Sequence, residues 1–135
     1  MKRVLLIGIV LISFTGCDVY LVEPRIDRRD QVIGYYGMEE YSQTYLDYTY
    51  YSINITKGGY NSNTIYLNNF YGANISVVAT LSYDRITIPS QYVDGYDIEG
   101  VGTVYGDHIT FSYSVKDRYH SKYTDFCETD AYYEY

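Results

Sequence analysis

The sequence predicts an all-β chain, an antiparallel meander of about eight strands that most simply closes into a small β-barrel. Three observations carry this. From Val32 onward apolar residues recur at every second position, the spacing of a strand with one buried face. Turn-forming clusters such as Lys57-Gly58-Gly59, Gly72-Ala73-Asn74 and Gly106-Asp107 break that alternation at short intervals. No segment keeps a 3.6-residue period over three turns. A two-sheet β-sandwich is the alternative packing of the same strands.

The chain opens differently. Lys2 and Arg3 precede an uncharged apolar run from Val4 to Phe14, and Thr15-Gly16-Cys17 follows. The run is about half the roughly 20 apolar residues that a membrane-spanning helix needs, so it reads as an export signal. Small residues directly before a cysteine resemble the lipobox of bacterial lipoproteins, which implies cleavage before Cys17 and a lipid, palmitate included, on the mature N-terminus. Residues 1–16 are therefore expected to be a lipoprotein signal peptide, 17–31 the lipidated cysteine and a charged tether, and 32–135 a single β domain. Within the tether Arg25, Arg28 and Arg29 alternate with Asp27 and Asp30, the pattern of a solvated spacer. Loss of the leader takes the bases from 10 to 8 against 17 acids, a net charge of −9. A domain so acidic is repelled by nucleic-acid backbones, and no nucleic-acid partner is expected.

The strand segments fall near 32–42, 45–57, 64–71, 75–83, 86–91, 96–105, 108–117 and 123–134. Tyr51, Ile53 and Ile55 alternate with Ser52, Asn54 and Thr56, and Ile75, Val77, Ala79, Leu81 and Tyr83 form a later apolar face. A two-residue loop at Gly106-Asp107 sets Val104 opposite Ile109, Gly102 opposite Phe111, Gly100 opposite Tyr113 and Ile98 opposite Val115. Every inward residue then meets another, and a one-residue slip would turn one set outward. A similar loop at Asp84-Arg85 would pair Tyr83 with Ile86 and Leu81 with Ile88. Pro89 lacks an N–H and is expected at a strand end or an edge.

The chemistry-bearing residues are few. Cys127 lies in the alternation Tyr123, Asp125, Cys127, Thr129, Ala131, Tyr133, which turns it inward as a small packed side chain. His108 and His120 have no cysteine or histidine at ligand spacing and read as surface residues. Asp94, Asp97 and Glu99, and separately Glu128, Asp130 and Glu134, offer oxygens of the kind calcium takes, but outward acids on a strand first serve solubility. Neither a nucleophile motif nor a phosphate loop is present, so an enzyme is not expected, nor a cofactor or metal. Tyrosine is the abundant residue, 21 in all. Parity sends Tyr51, Tyr83, Tyr113 and Tyr133 inward and Tyr48, Tyr50, Tyr66, Tyr105 and Tyr132 outward. The outward five are the candidate ligand-binding residues, because each presents a flat ring and a hydroxyl at low entropic cost.

The segments Gly34-Tyr35-Tyr36, Ile53-Asn54-Ile55-Thr56-Lys57, Asn69-Phe70, Ile86-Thr87-Ile88-Pro89-Ser90-Gln91, Ile98-Glu99-Gly100-Val101-Gly102 and Ile109-Thr110-Phe111 together resemble the small uncharacterised β lipoproteins of Bacteroidetes type. That resemblance implies a lipocalin-like (calycin-like) barrel in the cell envelope, anchored by lipid to the outer membrane. The expectation for function is a binding protein that meets a glycan or an envelope protein through its exposed tyrosines. A carrier of a small apolar ligand and an inhibitor of an envelope enzyme are the alternatives.

Overall fold

The computed structural model describes residues 26–135. The expected signal peptide, Cys17 and most of the tether lie outside the described residues. Eight strands follow in order: β1 (Gly34–Ser42), β2 (Asp47–Lys57), β3 (Thr64–Phe70), β4 (Ile75–Ser82), β5 (Arg85–Val93), β6 (Tyr96–Tyr105), β7 (His108–Asp117) and β8 (Asp125–Tyr133). Each is antiparallel to the next, and β8 returns to pair with β1, so the meander closes into a barrel. Closure leaves every strand with two neighbours.

Alternation explains the inside of the barrel. In β4, Ile75, Val77, Ala79 and Leu81 are buried, while Ser76, Val78, Thr80 and Ser82 face out. Tyr36, Met38, Ile53, Phe70 and Phe111 are all but completely buried and pack the middle. The β6–β7 hairpin has the expected register, including Gly102↔Phe111 and Gly100↔Tyr113. The glycines are needed there: a Cβ on Gly100 would lie 2.4 Å from Tyr113 Cβ and 2.6 Å from the Ser112 carbonyl oxygen.

Three expectations are corrected. In the β4–β5 hairpin Leu81 pairs with Ile86 and Ser82 with Arg85, so the loop is Tyr83-Asp84 and not Asp84-Arg85. The two registers differ by a slip of two, which keeps the same residues inward in both strands, so alternation could not choose between them. Tyr83 adopts φ 53° in this turn and is 74% exposed, not inward. Pro89 sits inside β5 rather than at its end, where the β5–β6 register shifts between Ile88 and Gln91. The irregularity is what accommodates a residue without an N–H. On the other side of β5, backbone pairing with β4 covers only Thr80–Ser82. The Gln91 side chain continues it, accepting from the Val78 N–H at 3.0 Å and donating to the Val78 carbonyl at 2.8 Å.

The third correction concerns the spacer. Residues Arg28–Gln31 form a 3-10 turn capped by Asp27, whose carboxylate accepts from the Arg29 N–H at 3.0 Å. Arg29 is 5% exposed rather than solvated. Its guanidinium donates to the carbonyls of Gly58, Gly59 and Thr64 and pairs with Asp27 at 2.8 Å. With the buried Val32, this turn closes one end of the barrel. The opposite end is a mouth framed by the β1–β2, β3–β4, β5–β6 and β7–β8 connections.

Candidate functional site

All five candidate tyrosines stand outward, Tyr48, Tyr50, Tyr66, Tyr105 and Tyr132 being between 37% and 70% exposed. Register decides which of them meet. Tyr105 pairs with His108, His108 with Tyr132, Tyr132 with Gly37 and Gly37 with Ser52, giving one row across five strands. The His108 ring stacks on Tyr132 with centroids 4.8 Å apart and 5° between planes, and its Nε2 lies 2.9 Å from Asp130. Tyr105 lies 6.2 Å from the same imidazole. His108 is therefore part of an aromatic band, not a free surface residue. Gly37 interrupts that band. Its missing side chain makes room for the Glu134 carboxylate, whose Oε1 would lie 3.1 Å from a Cβ there, and a groove of about 510 Å³ runs between Tyr50 and Tyr132, bordered by Glu39 and Glu134. Ser52 holds Glu134 in place by a 2.8 Å hydrogen bond.

Three of the five tyrosines fall outside this groove, Tyr105 among them at the end of the row beyond His108. Tyr48 packs on Tyr41, ring centroids 4.9 Å apart. Tyr66 has Thr56 and Val78 as its cross-strand neighbours and lies apart from the row.

A second constellation occupies the mouth. Glu40, Asp125 and Cys127 are all buried, and their ligand atoms lie within 4.8 Å of one another. Tyr51 donates to Glu40 Oε2 at 2.6 Å, and Tyr113 donates to the same oxygen. Ser42 and Tyr71 donate to the two oxygens of Asp125. Burial pushes the Glu40 carboxyl up to about 7; the Tyr51 hydroxyl pulls it down, and the Asp125 charge pushes it further up. Burial, then the Glu40 charge, drives the Tyr51 phenol well above the ordinary range. Burial, followed by the charges of Glu40 and Asp125, raises the Cys127 thiol and keeps it protonated. Cys127 thus faces inward as expected, but among carboxylates. Three metal-type donors do converge here, and an ion would have to displace tyrosine and serine hydroxyls to reach the oxygens.

Above Asp125 lies a recess of about 160 Å³ walled by Tyr45, Tyr71, Tyr96 and Tyr123, with Asp117 at its rim. Local backbone builds it. Asn69, Tyr71 and Asn74 all take φ between 54° and 63°, so the β3–β4 connection turns tightly and swings Tyr71 over the opening. The Asn69 side chain braces that turn, accepting from the Asn74 N–H at 3.0 Å and donating to the Ser52 carbonyl at 2.8 Å. Ser42 starts the β1–β2 turn by accepting from the Tyr45 N–H at 2.9 Å. Sequence reasoning placed Asp125 on the inward parity of its strand but missed Glu40. The signal was present: Tyr36, Met38, Glu40 and Ser42 share one parity, and all four are buried.

Compared with known proteins, the chain matches no family model, and no curated protein matches it in sequence. Among the described residues, no helix is long and apolar enough to cross a membrane.

Proposed function

We propose that the chain is a lipid-anchored binding protein of the cell envelope, tethered to the outer membrane through Cys17, which takes a glycan in the groove over Gly37. The carrying observation is the groove itself, where two outward tyrosines flank a glycine and two carboxylates border them. A sugar ring offers apolar C–H faces that stack on tyrosine and hydroxyls that donate to Glu39 and Glu134. The closed eight-stranded meander with a turn across one end supports a calycin-like barrel. Apolar side chains fill the middle of the barrel and strands such as β4 turn their polar ones outward, the reverse of a lipid-embedded barrel, which favours attachment by an acyl chain. The dense packing of Tyr36, Phe70 and Phe111 speaks against an apolar cargo held in the middle.

A glycan array probed with the lipid-free chain tests the reading. Tyr50→Ala and Tyr132→Ala are each expected to weaken binding about tenfold, roughly 1.4 kcal/mol, and Gly37→Leu to block the groove. Binding that survives all three changes would rule the groove out. Cys17→Ser is expected to abolish incorporation of a palmitate analogue and to release the protein from membranes.

A further inference from the structure

We propose that the recess at the barrel mouth binds a small organic ammonium ion. It is a site distinct from the outer groove, and neither depends on the other. The shape comes first. The recess holds about 160 Å³, so it suits a ligand of few heavy atoms, and beneath it Phe70 and Tyr113 pack with ring centroids 4.6 Å apart. A ligand therefore sits at the mouth and goes no deeper.

Its walls select the charge. Tyr45, Tyr71, Tyr96 and Tyr123 surround the space, and the negative faces of aromatic rings attract a cation that sheds little hydration. Asp125 supplies a buried carboxylate at the floor and Asp117 a second at the rim. No basic side chain lines the recess among the described residues. The bases on neighbouring segments are engaged or turned away. Arg118 forks onto Asp97 at 2.7 and 2.8 Å and lies over Tyr92, the His120 Nδ1 lies 3.1 Å from the Asp117 carboxylate, and Lys116 and Lys122 are exposed.

The donor set favours an organic cation over a metal ion. Both oxygens of Asp125 already accept hydroxyl donors, from Ser42 and Tyr71. They offer little free coordination space, which a divalent ion requires and an alkylated ammonium does not. An aromatic-walled space over a buried carboxylate answers the needs of a quaternary or alkylated amine.

The test uses the full chain purified in nonionic detergent, titrated calorimetrically with choline, with tetramethylammonium and with 3,3-dimethylbutan-1-ol, the neutral carbon analogue of choline. Both cations are expected to bind, and the neutral analogue at least tenfold more weakly. Replacing the exposed rim residue Tyr123 by Leu is expected to weaken choline about tenfold with the melting temperature unchanged, whereas Tyr50→Ala leaves choline binding intact. The proposal is overturned if neither cation binds, if the neutral analogue binds as well as choline, or if the rim variant binds choline normally. A titration with calcium or zinc that occupies the site in preference to choline would overturn it as well.

Discussion

Glu40 shows how much can follow from one inward position. Its carboxyl sits among Tyr51, Tyr113, Asp125 and Cys127, and burial raises it to about 7 from the ordinary 4.5. Below pH 4.5 the folded and unfolded chains both hold this proton. Between 4.5 and 7 the unfolded chain has released it while the folded chain retains it, so stability falls as pH rises and levels off above 7. The loss amounts to about 2–3 kcal/mol after allowance for residual solvation. Glu40→Gln keeps an acceptor for the two tyrosines and removes the titration. Urea unfolding of both proteins across this range is expected to show the wild type losing that increment and the variant not; parallel profiles would remove Glu40 as the cause. Little of this was legible in advance. Glu39-Glu40 reads as a solvated acidic pair until parity with Tyr36 and Met38 separates them, whereas Tyr50, Tyr105 and Tyr132 declare their outward side by alternation alone.

At the level of elements, alternation determines the face but not the pairing. The β6–β7 hairpin was readable because its glycines oppose Phe111 and Tyr113, and only one register covers both. The β4–β5 hairpin has no such marker, and Tyr83 in the left-handed region is a choice few sequence rules favour. The turn at Arg28–Gln31 was hidden for a different reason. Its alternating charges look solvated, yet Asp27 and Arg29 face each other across the cap, and the hydrogen bond from Arg29 holds the Asp27 carboxyl far below the usual range. Arg29→Ala would remove the guanidinium that joins Asp27 to the carbonyls of Gly58, Gly59 and Thr64 at the closed end. Its melting temperature is expected to fall well below that of Arg28→Ala, which loses only a contact over the Tyr83 ring. Equal effects of the two changes in thermal melts would mean that the cap contributes nothing.

For the molecule as a whole, strand count and short connections sufficed to foresee a closed meander. The mouth was not foreseeable, because Tyr45, Tyr71, Tyr96 and Tyr123 come from four different segments and converge only once the hoop is complete. That hoop is not uniform. Where Gln91 bridges to Val78, one side-chain amide performs the task of a backbone ladder. In Gln91→Leu the Val78 N–H and carbonyl would face an open seam, and deuterium exchange at Val78 is expected to accelerate while its β3 partner Tyr66 stays protected. An unchanged exchange rate would show that other contacts hold the seam. An opened seam also exposes a strand border to other molecules. Crowding of copies of the chain would favour intermolecular strand addition there. Gln91 would thus safeguard the protein against self-association at high local concentration.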